Sequence, residues 1–264
     1  MAKIFDAHAH YDDEKFDKDR EEIIKSLKEK DVVCVVNAGT DLKTSQISID
    51  YSNKYDLIYA AVGIHPEYAS ETPINYIEQL ENMTKNKKVV AIGEIGLDYY
   101  WNKENKETQK RIFCEQIELA QKLNLPIVVH DREAHGDTMD ILRKYKPKGI
   151  VHCFSGSVEM CKEVVKFGMS ISIGGVVTFK NARQVVEVAK YIPLDRLLLE
   201  TDAPYLAPMP FRKKGMRCDS SMIKFTAMRI AEIKGVSLDE LLETTTQNAC
   251  KMYNIKLWKD ILSY

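Results

Sequence analysis

A chain of 264 residues, 45% of them hydrophobic, can bury a sizeable core as one large α/β domain or two small ones. Its formal net charge is −1 with 29% charged residues, which excludes the overall basic footprint of a general nucleic-acid binder. Any anion binding must come from local charge or from bound metal.

The cysteines at 34, 114, 153, 161, 218 and 250 form no C-x-x-C pair and suggest no disulfide framework. Cys34, within a run of valines, reads as a small buried hydrophobe. The N-terminus lacks a basic segment followed by a long apolar one, and no apolar run reaches membrane-spanning length. A soluble, cytoplasmic protein with no membrane association and no obligate protein partner is expected.

Short apolar, β-branched runs recur in chain order at residues 4–7, 32–36, 57–62, 89–92, 127–129, 150–151, 170–173 and 197–199. Most are continuously hydrophobic rather than alternating, the habit of strands buried on both faces of a parallel sheet. Helical spacing of apolar residues appears at 17–30, 108–123, 134–145, 158–167 and 182–191. Two closing helices fall near 220–234 and 238–252, the last with Ser237 before Asp239 and Glu240 as a capped start. Strand-then-helix units repeated eight times predict an α/β fold, a (β/α)8 TIM barrel, as a single domain over residues 1–264. A doubly wound open sheet is the competing architecture. The absence of a Gly-x-Gly-x-x-Gly turn after the first strand weighs against its dinucleotide-binding form.

The chemistry-bearing residues sit at the ends of these runs. His8 and His10 lie two apart, so on a strand both imidazoles leave the same face. His65 follows the third run and Glu94 the fourth. His130 and His152 end the fifth and sixth, and Asp202 the eighth. In a barrel these ends form one rim, where catalytic groups gather. Imidazole and carboxylate together suit zinc, manganese, magnesium or nickel, and the set offers enough ligands for two ions. A carboxylate placed between two ions can bridge them, and Glu94 is best placed to do so. His135, one turn into a polar segment, is expected in solvent.

Six motifs together carry a resemblance. Asp6-Ala7-His8-Ala9-His10, Gly63-Ile64-His65-Pro66, Gly93-Glu94-Ile95-Gly96-Leu97-Asp98-Tyr99, His130-Asp131-Arg132, His152-Cys153-Phe154-Ser155-Gly156 and Glu200-Thr201-Asp202-Ala203-Pro204 resemble, in order, the TatD family of metal-dependent deoxyribonucleases, which are amidohydrolase-like barrels. The resemblance implies two divalent ions per subunit, zinc, magnesium or manganese. It implies that His8, His10 and Asp202 hold the first ion, His130 and His152 the second, and Glu94 both. Asp202 is then also the partner of the attacking water, and Asp202 and Glu94 are the catalytic pair. His65 is expected to contact phosphate or substrate, with a structural role before Pro66 as the alternative.

Other residues of these motifs invite readings of their own. Arg132 suits a phosphate clamp, against a surface ion pair. Ser155-Gly156 could offer backbone N–H groups to phosphate at a helix start. Tyr99, Tyr100 and Trp101 could stack on bases, or simply pack the loop on the rim. One departure stands out. Where the family commonly has Asn and Pro after the eighth strand, this chain has Cys218 and Ser220. The neighbouring Arg212, Lys213, Lys214 and Arg217 could attract a polyanion or form an ordinary solvated loop. The implied activity is hydrolysis of DNA phosphodiester bonds, from the 3′ end of single-stranded or frayed DNA. Hydrolysis of another ester or amide, such as D-aminoacyl-tRNA deacylation, and non-catalytic nucleic-acid binding are the alternatives.

Overall fold

A computed structural model describes residues 3–101, 103–214 and 216–257, and the side chains of Lys213 and Lys214, expected in the basic group, lie outside the described residues. Eight parallel strands run in sequence order: β1 (Ile4–Ala9), β2 (Val32–Ala38), β3 (Ile58–Val62), β4 (Val89–Asp98), β5 (Ile127–Arg132), β6 (Gly149–Val151), β7 (Ser170–Ile173) and β8 (Leu197–Leu199). The sheet closes on itself where Ala9 bridges Ala203, with the N–H of His10 donating to the carbonyl of Ala203 at 2.7 Å. The expected TIM barrel is the fold of the chain.

Helices α1 (Arg20–Leu27), α2 (Leu42–Lys54), α3 (Tyr76–Met83), α4 (Lys106–Leu123), α5 (His135–Tyr145), α6 (Val158–Lys166), α7 (Arg183–Tyr191), α8 (Ile223–Lys234) and α9 (Leu238–Met252) surround it. The side chain of Ser237 caps α9 by accepting from the N–H of Glu240. Apolar spacing did not mark α2 or α3. The buried face of α2 is made of Ser45, Ser48 and Ser52 around one Ile49, so its helical period is invisible to hydrophobicity. Its start is nonetheless fixed by a capping box between Asp41 and Thr44. Among the described residues no helix is long and apolar enough to cross a membrane.

Two packed layers follow from strand alternation. Phe5, Ala7, Cys34, Val36, Ala61, Val128, Ile150 and Leu198 fill the barrel interior together with Tyr253 and Ile255, which follow α9. Ile4, Val35, Ile92, Ile95, Val129, Val151 and Leu199 face outward onto apolar residues of the helices. Of the register shifts between strands, two alter this phase near the C-terminal rim. Between Asp6 and Ala9 three steps of β1 oppose two steps of β2, Val35 to Asn37. Between Ile92 and Ile95 three steps of β4 oppose two of β5. An extra residue turns a strand's alternation by one. Below the first bulge the odd positions Phe5 and Ala7 point inward; beyond it His8 and His10 do. The second bulge brings Glu94 inward between the outward Ile92 and Ile95. On β5 and β6 no such correction is needed: Val128 and His130, Ile150 and His152 alternate inward in step.

Candidate metal centre

Glu94 lies at the centre of the rim, on β4 rather than after it. Its Oε2 is 3.3 Å from His8 Nε2 and 3.4 Å from His10 Nε2. Its Oε1 is 2.7 Å from His152 Nε2 and 2.8 Å from His130 Nδ1. Asp202 Oδ1 joins the first group, 3.4 Å from His10 Nε2 and 3.7 Å from His8 Nε2. His8 Nε2 and His10 Nε2 are themselves 3.0 Å apart. Ligands of a tetrahedral ion with bonds of about 2.0–2.1 Å stand roughly 3.3 Å from one another, so these separations fit a cation. The six side chains expected from the sequence, His8, His10, Glu94, His130, His152 and Asp202, come together here with His65 beside them, and the groups close enough to hold an ion are His8, His10 and Glu94; His8, His152 and Asp202; and His65, Glu94 and His130.

The partners on the far side of two rings decide which nitrogen is free. His10 Nδ1 lies 2.9 Å from the carbonyl of Ala38, which can only accept, so Nδ1 carries the proton and Nε2 keeps its lone pair for the site. His130 Nε2 donates to Asp98 Oδ2 at 3.0 Å, leaving Nδ1 to face Glu94. A carboxylate or carbonyl behind a histidine is the usual support for a metal ligand. Behind His152 stands Glu200, with Oε1 3.8 Å from His152 Nδ1, and both atoms are buried without a hydrogen-bond partner among the described residues. Glu200 is anchored through its other oxygen by the hydroxyl of Ser172. Asp6 holds the β1–β8 seam, accepting from the N–H of His8 and from the N–H and hydroxyl of Thr201.

His65 is buried beside this group, its Nε2 3.6 Å from Glu94 Oε1. Its Nδ1 accepts the N–H of Glu67 and so caps the turn that begins at Pro66. The structural role and the position in the site are both real. With Nδ1 accepting, Nε2 of the neutral ring carries the proton and is a donor.

Charge shapes the site strongly. Burial alone would raise Glu94, yet His152, His65 and His8 hold its carboxyl well below the usual range. Burial also opposes the ionisation of Asp202, and the hydrogen bond from His10 overrides it to lower that carboxyl. Burial and the nearby His130 push His65 down to about 3, so it is neutral at physiological pH. Burial depresses His130, but hydrogen bonds to Asp98 and Glu94 outweigh it and raise the ring to about 9 in the metal-free protein.

Several sequence expectations need correction. Tyr99 does not face solvent as a stacking ring: it is 7% exposed and its hydroxyl donates to Asp137 at 2.5 Å. Only Tyr100 and Trp101 of that trio are exposed. Ser155 and Gly156 do not open a helix, because α6 begins at Val158 with Ser157 as its cap. Ser155 is exposed, and its carbonyl accepts from Gln184. Arg132 is exposed at the end of β5 with its guanidinium over the Tyr100 ring. His135, expected in solvent, is part-buried, with its side chain 42% exposed and paired with Asp131 Oδ2 at 2.7 Å. The two described side chains of the basic group are engaged: Arg217 pairs with Asp19 at 2.7 Å, and Arg212 lies over the Phe179 ring. Cys218 is buried, and the Ser220 hydroxyl meets the Tyr11 hydroxyl at 2.8 Å behind β1. Asp98 and Glu200, which back His130 and His152, are functional residues that sequence reasoning misses; the signal for Asp98 is a carboxylate four residues beyond Glu94 on the same strand.

A closed parallel barrel with imidazoles and carboxylates gathered on its C-terminal rim defines a metal-dependent hydrolase. The family model for TatD related DNase matches residues 5–254, and the chain belongs to the TatD family. It is 43% identical over 255 residues to the uncharacterised metal-dependent hydrolase YabD of Bacillus subtilis, covering 96% of this chain and 99% of that one. It is 32% identical over 259 residues to a protein of Erwinia tasmaniensis named 3′-5′ ssDNA/RNA exonuclease TatD, covering 96% of this chain and all (100%) of that one. Among solved structures, the TatD homologue YjjV of Escherichia coli superposes with a TM-score of 0.89 at 28% identity, covering 96% of this chain and 98% of that one.

Proposed function

We propose that this hydrolase cleaves phosphodiester bonds of single-stranded or frayed DNA from the 3′ end. The observation that carries the reading is the pair of locked rings. His10 and His130, fixed by Ala38 and Asp98, aim lone pairs at opposite oxygens of one buried carboxylate, Glu94. That arrangement suits a pair of divalent ions sharing Glu94. His8, His10 and Asp202 would hold one, and His130 and His152 the other. Such ions, when bound, supply Lewis acidity that lowers the pKa of water and neutralises charge on phosphate.

The chain's own groups do the rest. Asp202, lowered and one-fifth exposed (side chain 20%), stands at the mouth of the site and takes the proton of the attacking water. Neutral His65 donates from Nε2 to a non-bridging phosphate oxygen. Arg132, exposed at the end of β5, offers a guanidinium to an incoming strand. The Erwinia relative's name points to the same substrate class and polarity.

The test is digestion of a 5′-labelled single-stranded oligonucleotide with magnesium, manganese or zinc. A ladder shortening from the 3′ end is expected, abolished in Glu94→Ala and Asp202→Asn. Intact DNA with every metal would overturn the reading. A D-aminoacyl-tRNA substrate run in parallel would reveal ester hydrolysis instead.

A further inference from the structure

Exposed large hydrophobic side chains are unevenly spread. Tyr68, Ile74, Tyr100, Trp101, Tyr205 and Met216 all lie in loops on the rim that carries Glu94, while Tyr191 and Met228 lie on α7 and α8. Two of the rim residues form a built unit. Tyr100 is 46% and Trp101 63% exposed, and their rings meet edge to face with centroids 4.8 Å apart. The Arg132 guanidinium lies 4.1 Å from the Tyr100 ring centre and 5.5 Å from that of Trp101. Cation and aromatic faces are thus presented together to solvent.

The backbone beneath them is anchored. Asp98 Oδ1 accepts the N–H of Tyr100 at 2.8 Å and of Trp101 at 2.9 Å. The other oxygen of the same carboxylate accepts from His130 Nε2. The aromatic pair is therefore tied, through one side chain, to a ring of the metal centre.

We infer that Tyr100, Trp101 and Arg132 form a station for one unpaired nucleobase of a single-stranded polynucleotide, beside the phosphate to be cleaved. The inference rests on the phosphodiesterase reading above and gives it a substrate form. A ring pair with a guanidinium accepts any base, because every base has a π face, and Arg132 adds attraction for the flanking phosphate. A duplex keeps its base faces stacked and cannot use the station. The outcome is preference for unpaired strands without sequence preference, and poor handling of abasic positions.

The test compares kcat and KM on a single-stranded oligonucleotide and on the same strand with abasic 3′-terminal positions. Trp101→Ala is expected to raise KM about tenfold on the normal strand, Trp101→Phe to restore most of the loss, and Tyr191→Ala on α7 to change nothing. The abasic strand should reduce the wild type to the level of Trp101→Ala and be indifferent to that substitution. Equal KM for wild type and Trp101→Ala on both strands would overturn the station while leaving the nuclease reading intact. If the wild type cleaves neither strand, Trp101 fluorescence in a Trp258→Phe background still decides. Quenching by added oligonucleotide supports the station, and unchanged emission overturns it.

Discussion

Asp98 accepts a hydrogen bond from His130 at 3.0 Å and so turns the other nitrogen of that ring toward Glu94. Asp98→Asn keeps the shape but offers an amide that can donate, which unsettles the tautomer. The expected result is a 10- to 100-fold loss of metal affinity, roughly, read by competition with a chromophoric chelator. Unchanged affinity would mean that His130 is oriented by packing alone.

Metal binding and protons compete at the same nitrogens. In the metal-free protein His130 is raised to about 9; against burial, the hydrogen bond with Asp202 lifts His10 and the charge of Glu94 lifts His152 well above the ordinary value. Loading must displace such protons, so affinity is expected to rise with pH up to about 9, by about tenfold per unit for each proton released. Calorimetry in buffers of different ionisation enthalpy counts them. The sign for stability of the metal-free fold is the reverse. The raised His130 contributes stability that is full below the unfolded value of 6.5 and is lost as pH rises through about 9. Affinity independent of pH between 6 and 9 would contradict this.

Gly96 sits in β4 with φ +148°, pressed against β5. A Cβ there would meet the carbonyl oxygen of His130. Gly96→Ala is expected to cost about 1–3 kcal/mol from overpacking and strain, seen as a lower Tm, and to weaken metal binding because the displaced backbone carries His130. A neutral substitution would show that the two strands can separate at this point.

Ser220 satisfies Tyr11. Its N–H donates to the Tyr11 hydroxyl at 3.0 Å, and its own hydroxyl lies 2.8 Å from the same oxygen. Ser220→Pro removes both partners of a buried group, at an expected cost of about 1–3 kcal/mol. Adding Tyr11→Phe should recover part of it, because the stranded hydroxyl is then gone. Thermal unfolding of the single and double variants checks this; equal Tm values for wild type and Ser220→Pro would contradict it.

The barrel was legible because β2, β5, β7 and β8 are short apolar runs whose positions the structure reproduces. The candidate ligands were legible because each stands at or just beyond the end of an apolar run. The α2 helix was not, since Ser45, Ser48 and Ser52 hide its buried face. The bulge at Asp6–Ala9 leaves no mark in residue type and the one at Ile92–Ile95 only Gly93, yet they turn His8, His10 and Glu94 inward. Tyr99 and Tyr100 look alike in sequence; only the Asp137 acceptor, brought by α5, buries one and leaves the other in solvent. Tautomers were also beyond reach, because Ala38 and Asp98 lie 28 and 32 residues from the rings they orient.

The bridging role of Glu94 is tested most directly by metal stoichiometry. Wild type and Glu94→Gln are loaded with zinc or manganese, dialysed, and measured by mass spectrometry of the metal. Two equivalents per chain are expected in the wild type and one or none in Glu94→Gln, whose amide cannot serve both groups of histidines. A single equivalent in the wild type, or two retained by Glu94→Gln, would contradict a shared carboxylate at the centre of the site.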